Sequence, residues 1–194
     1  MLEIKNAQID IAGSLITLPN IAIKQGQVIG LCGDSGCGKT TLIKTLAGII
    51  PLKVGRLNRP QYQSGANPVQ WLIQQPEFAF NPRLTIEQSL NEAWGANEYQ
   101  ALFDDFDIEL QWLQRRPQQL SGGQLQRLNI IRGLLPTTQF LLCDEITAHL
   151  DMITQKQIWQ SLMLHAKKHH IGLLVVSHDQ QLLQVLCESI TSLP

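Results

Sequence analysis

Neither sign of charge prevails in this chain of 194 residues, where 15 lysines and arginines face 16 aspartates and glutamates. No basic face is there to hold a polyanion, which counts against nucleic acid as a partner. Long apolar runs are missing as well, none approaching the ~18 residues that cross a bilayer. Met1-Leu2-Glu3-Ile4-Lys5 carries charges where an export signal needs an apolar stretch, so no signal is read and a cytoplasmic location is expected. The four cysteines, Cys32, Cys37, Cys143 and Cys187, are widely spaced and form no CxxC pair, which implies neither a zinc site nor a disulfide framework. Glutamine is frequent but dispersed, a matter of surface composition and not of low complexity.

Against those absences stands Gly33-Asp34-Ser35-Gly36-Cys37-Gly38-Lys39-Thr40, followed by Thr41, which fits G-x-x-x-x-G-K-[ST] at every defined position. An apolar run, Val28–Cys32, precedes it as a buried strand, and Leu42, Ile43, Leu46 and Ile49/Ile50 follow at helical spacing. Strand, glycine loop and helix form the context in which such a loop cradles phosphate. The glycines let successive N–H groups turn inward, and the helix N-terminus adds partial positive charge. Lys39 would reach the β- and γ-phosphate oxygens, and the Thr40 hydroxyl would ligate Mg²⁺. Cys37 lies inside this loop, so its alkylation is expected to block nucleotide binding.

The periodicities predict an α/β chain of one domain with a mostly parallel sheet. Residues 2–11 alternate as a half-buried strand, and Leu15–Ile23 reads as a second, interrupted at Pro19-Asn20. Together they suggest a small N-terminal antiparallel layer against the core. A short strand is expected at Gly55–Leu57, a loop over 58–68 and a buried strand at Val69–Gln74. Between 76 and 120 the texture is helical: Thr85 with Gln88 marks a capping box, and Tyr99–Phe106 and Ile108–Leu113 have amphipathic helical spacing. Residues 1–75 and 121–194 then form the α/β core, and 76–120 a short helical insertion. Helices are predicted at Ser121–Leu135, Thr154–Lys168 and Gln180–Cys187, with strands at Phe140–Cys143 and Leu173–Val176.

Phe140–Cys143 delivers Asp144 and Glu145 at its C-terminal end, where ligands of open α/β sheets sit. Asp144 suits a magnesium ligand, and Glu145 a base for water attacking the γ-phosphate. Leu173–Val176 likewise delivers Ser177-His178, which puts His178 in the same crevice, within reach of the γ-phosphate or the water. His165, His169 and His170 read as solvated.

Leu120-Ser121-Gly122-Gly123-Gln124, together with the phosphate loop, Gln74, Asp144-Glu145, Asp151 and His178 in this order, resembles the ATP-binding subunit of an ABC transporter, a P-loop NTPase. The resemblance covers almost the whole chain. It implies ATP and Mg²⁺ as ligands, with Gln74 sensing Mg²⁺ and water, Asp151 in a loop crossing a dimer interface, and His178 as a switch. It also implies that Ser121, Gly122, Gly123 and Gln124 cap ATP held by a second ATPase subunit. Integral-membrane permease subunits would hold the chain at the inner face of the membrane. Gln74-Gln75-Pro76 with Phe80-Asn81-Pro82, and Pro117-Gln118-Gln119-Leu120, are similar to the peptide and nickel importer ATPases. In that subfamily two different ATPases often pair, so a heterodimer is favoured over a homodimer.

The chain also departs from the pattern. Ile11 stands nearest to where an aromatic residue usually stacks on adenine, Ile146 follows Glu145 in place of proline, and His149 replaces a small residue. With the last residue at Pro194, the usual final hairpin is expected to be absent, and the helical insertion is short. Three readings follow: an importer ATPase, a low-activity regulatory half of an asymmetric pair, or a soluble ABC ATPase.

Overall fold

The computed structural model describes residues 1–62, 64–95 and 97–193. The N-terminal layer is a four-stranded antiparallel sheet built around β1 (Leu2–Ile11). Leu2, Ile4 and Ile9 point inward as the alternation predicts, whereas Ile11 at the strand end is exposed. The run Leu15–Ile23 is split: β2 (Ser14–Thr17) and β3 (Ile21–Ile23) each pair with β1. Proline at position 19 has no N–H for a ladder, so the strand breaks there. Glu3 pairs with both Ala22 and Asn58, so β5 (Val54–Asn58) takes the opposite edge of β1 from β3.

The second sheet is parallel throughout, in the order β6-β7-β8-β4-β9. Its strands are β4 (Val28–Cys32), β6 (Val69–Leu72), β7 (Phe140–Asp144), β8 (Gly172–Val176) and β9 (Ser189–Ser192). The middle strands β4, β7 and β8 are buried at every position, which explains why they read as continuous apolar runs and not as alternating ones. A side chain at Gly172 would meet the Lys24 carbonyl at 2.6 Å and the Phe140 ring at 2.7 Å, so only glycine lets β8 start against its neighbours. Helices α1 (Lys39–Leu46), α3 (Gly122–Gly133), α4 (Met152–Lys168) and α5 (Gln180–Leu186) connect the strands. The last strand, β9, pairs with β4 over Ser189–Ser192, while Pro194 lies outside the described residues.

Between the sheet strands lies α2 (Ile86–Trp94), which begins at the expected capping box of Thr85 and Gln88. The two further α-helices expected here are not formed. Asn97–Leu102 and Leu110–Trp112 are 3₁₀ turns, and Asp107 has a left-handed φ of 49°. Packing wins over periodicity in this stretch: Tyr99, Phe103, Phe106, Ile108 and Trp112 are drawn into a buried cluster shared with α3 and α4. Tyr99 lies against both Trp94 and Phe103, and the Trp94 indole donates to the Ile131 carbonyl of α3 at 3.1 Å. The apolar core therefore runs on from the α/β part into this segment without a break.

Candidate functional site

Every parallel strand ends at the same edge, and Gln74, Asp144, Glu145, His178 and the glycine loop lie at or just beyond those ends. β4 runs into the glycine loop, whose Gly36 and Gly38 have φ of 87° and 99°. A Cβ at either would meet no atom within 4 Å. What glycine supplies at both is thus the left-handed backbone, and the space above stays open. Gly38 is the N-cap of α1 and offers no side-chain cap, leaving the first-turn N–H groups for an external anion. Lys39 is buried, its ammonium donating to the carbonyls of Gly33 at 2.7 Å and Asp34 at 2.8 Å. Asp34, Ser35 and Thr40 are exposed, and Thr41 is half-buried.

The Thr40 hydroxyl donates to Asp144 Oδ2 at 3.0 Å, across from α1 to the end of β7. Burial raises the Asp144 carboxyl above the ordinary carboxylate range, as does the neighbouring Glu145 charge, while the Thr40 bond, Trp71 and Lys39 pull the other way. Hydroxyl and carboxylate oxygens side by side are the hard donors that Mg²⁺ takes from proteins, usually one or two besides phosphate and water. Among the described residues no group of three or more His, Cys, Asp and Glu is arranged as a metal cage. The pair at Thr40 and Asp144 therefore fits magnesium bound with a nucleotide, and not a self-sufficient metal centre.

Glu145 follows directly, at a left-handed φ of 51°. Its two oxygens are both taken. Gln74 Nε2, beyond β6, donates to Oε2 at 3.0 Å, and His178 Nε2, beyond β8, lies 2.7 Å from Oε1. Residues from the ends of three strands far apart in the chain thus meet on one carboxylate. In strand order, Gln74, Glu145 and His178 come from β6, β7 and β8.

The remaining predicted residues sit at helix starts. Ser121 is the N-cap of α3, and its hydroxyl accepts from Gln124 N while the Gln124 side chain accepts from Ser121 N. Gly122 and Gly123 form the first turn, and a Cβ at Gly123 would approach the Thr154 methyl to 2.8 Å. Asp151 caps α4, accepting from Ile153 N and Thr154 N, and these bonds hold its carboxyl below the usual carboxylate range. Neither Ser121 nor Asp151 touches the glycine loop within the chain by any described bond.

A 420 Å³ cavity flanks the glycine loop, lined on one side by Gly36, Cys37, Gly38 and Thr41 and on the other by Ile16, Leu18 and Pro19. Ile11, taken from the sequence as the residue nearest to a bound base, does not line it; Ile16 does. The two-residue turn at Ala12-Gly13 folds β2 back on β1 and carries Ile16 to the loop, which chain spacing alone does not reveal.

Sequence reasoning also missed residues that hold the site from behind. Thr147, buried in the loop after Glu145, accepts from the Trp159 indole at 3.0 Å and from Gln155 at 3.2 Å. Arg127 on α3 donates to the Phe106 carbonyl, Asp107 and Gln157. Trp71 on β6 lies under Lys44 of α1. A charged or aromatic residue inside an apolar helix or strand is the signal that could have found the last two.

Comparison with known proteins agrees with this geometry. The family described as "ABC transporter" matches residues 17–148. The nickel import system ATP-binding protein NikE of Staphylococcus aureus (strain N315) is 36% identical over 184 residues, covering 88% of this chain and 76% of that protein. The dimeric structure of a post-hydrolysis state of an ATP-binding cassette bound to ADP and Pi superposes with a TM-score of 0.82 at 24% identity, over 100% of this chain and 94% of that one. The structure of an ATP-binding subunit of an ABC transporter superposes with a TM-score of 0.84 at 22% identity, covering 99% and 85%. At such identities the two structures speak for the fold; the sequence relationships speak for the family. The chain belongs to the ABC transporter family and is an ATP-binding, ATP-hydrolysing subunit of it.

Proposed function

We propose that this chain powers solute import of the nickel or peptide type, hydrolysing MgATP in a closed pair of ATPase subunits. The observation that carries the reading is the meeting of Gln74 and His178 on Glu145, one residue from the Asp144–Thr40 pair. The 36% identity to a nickel import ATPase supports the importer type.

In this reading Lys39 exchanges its bonds to Gly33 and Asp34 for oxygens of the β- and γ-phosphates, and the uncapped first turn of α1 accepts the phosphate charge. Thr40 and Asp144, with Gln74, would hold Mg²⁺, which would supply positive charge to the phosphates. Glu145 receives the proton of the water that attacks the γ-phosphorus, while ADP keeps the bridging oxygen and its electron pair. For that, His178 and Gln74 release the carboxylate and turn to the phosphate and the water. Gln74 stands at the border of residues 76–120, which we assign as the helical subdomain. Gln74 thereby links the chemistry to the part that a permease subunit would seat against. Ser121 to Gln124 and Asp151 serve ATP on a second subunit, and the permease holds the complex at the cytoplasmic face of the membrane.

Substituting Glu145→Gln tests the assignment: turnover is expected to be lost while an ATP-bound dimer accumulates. Undiminished hydrolysis would overturn it. A second reading, a partner subunit of low intrinsic activity, is favoured by the aliphatic wall of the cavity beside the glycine loop, where Ile16, Leu18 and Pro19 offer no aromatic ring to stack on a base. ATPase rates of the chain alone and with its cognate ATPase separate the two.

A further inference from the structure

Trp71 carries a buried polar atom that, among the described residues, has no aligned hydrogen-bond partner. Its indole N–H is fully shielded from solvent, yet no hydrogen-bond acceptor among the described residues is aligned with it. Leaving a buried donor unpaired costs about 1–3 kcal/mol, so such groups call for an explanation. Its surroundings supply one. Trp71 is the register partner of Leu142 on β7, and Asp144 is the next residue of β7 on that face. Asp144 is thereby the acceptor on that face, and no bond from the indole N–H to it meets ordinary distance and angle.

The other side of the ring is covered by α1. Lys44 Nζ lies 5.6 Å from the ring centroid, close enough for a cation–π contact. Lys44 is one helical turn beyond Thr40, whose hydroxyl holds Asp144 Oδ2 at 3.0 Å. Two rungs therefore join α1 to the sheet, Thr40 with Asp144 and Lys44 with Trp71.

We propose that Trp71 is a positioning residue for Asp144, its indole N–H donating to the carboxylate once the Thr40 hydroxyl turns from Asp144 to the metal of MgATP. The inference rests on the metal role given above to Thr40 and Asp144. On binding, the carboxylate exchanges one donor for another and keeps its orientation, and the indole N–H gains the partner it lacks. Lys44 over the ring keeps the indole from rotating away.

The test compares the intact chain with Trp71→Phe, Trp71→His and Asp144→Asn. Binding of a fluorescent ATP analogue is titrated with Mg²⁺, and tryptophan emission is followed when Mg²⁺ is added to nucleotide-loaded protein. Phenylalanine keeps the ring and removes the donor, so Trp71→Phe should need roughly tenfold more Mg²⁺, the effect of losing one hydrogen bond to a charged group. Its affinity for nucleotide without metal should stay within about twofold of the parent. The emission change on adding Mg²⁺ should vanish in Trp71→Phe. Trp71→His, which returns a ring N–H, should recover part of the metal affinity even if the phenylalanine variant folds poorly. Mg²⁺ titrations of Trp71→Phe and Trp71→His that superimpose on the parent, with Asp144→Asn shifted, would overturn the inference alone. If neither the parent nor Asp144→Asn responds to Mg²⁺, the metal assignment fails and the inference with it.

Discussion

Arg127 offers a sharp test of how the helical segment is fastened to the core. Its guanidinium, 9% exposed, makes three bonds: to the Phe106 carbonyl at 2.9 Å, to Asp107 at 2.7 Å and to Gln157 of α4 at 2.8 Å. The ion pair is the obvious feature, but Asp107 is 69% exposed, so water screens it. It should contribute no more than about 1 kcal/mol. The bonds to the two neutral acceptors matter more. The Phe106 carbonyl is buried, and without Arg127 it keeps no charged donor. Methionine fills much of the space of the arginine stem, so Arg127→Met isolates the polar loss. Its cost should be about 3 kcal/mol. Asp107→Asn keeps the shape and suits the left-handed backbone at this position, and should cost less than about 1 kcal/mol. Urea unfolding with an unchanged m-value measures both. Equal costs for the two variants, or an Arg127→Met cost within about 0.5 kcal/mol of zero, would refute the reasoning.

The cavity beside the glycine loop makes a prediction about its wall, on the reading that it takes the nucleotide base. Ile16→Tyr should tighten nucleotide binding by about fivefold to a hundredfold through base stacking, whereas Ile11→Tyr should leave the affinity unchanged; equilibrium titration checks both. His165 predicts a pH effect. Burial, then His169, push its pKa down to about 4 against the opposing pull of Asp105, with Lys168 adding to the fall. The unfolded chain then takes up the proton first as the pH drops. Stability should be constant above about pH 6.5 and decline by about 3 kcal/mol towards pH 4, and the slope should flatten in His165→Leu. Cys37 lines the cavity beside the glycine loop, with its sulfur 3.9 Å from Lys39 Nζ. Alkylation there should abolish nucleotide binding, and bound nucleotide should protect. Mass spectrometry should find Cys37 modified ahead of Cys187, whose thiol burial pushes up to about 11.

The elements themselves were written locally. The glycine loop, the capping boxes at Thr85 and Ser121, and the apolar runs of β4, β7 and β8 follow from short-range rules of backbone freedom, hydrogen-bond capping and burial. Those rules also put Asp144, Glu145 and His178 at strand ends. Where burial by distant partners competes with local spacing, as at Tyr99–Phe106, the reading failed, because aromatic residues there are drawn into a cluster shared with α3 and α4. Strand order was likewise beyond the chain's own periodicity. Only the pairing of β6, β7 and β8 as neighbours sets Gln74 and His178 on the two oxygens of Glu145, and only the turn at Ala12-Gly13 brings Ile16, in preference to Ile11, to the glycine loop. The reason is physical: a side chain's type is a property of its position in the chain, but which groups share a carboxylate depends on contacts between segments that no local rule connects.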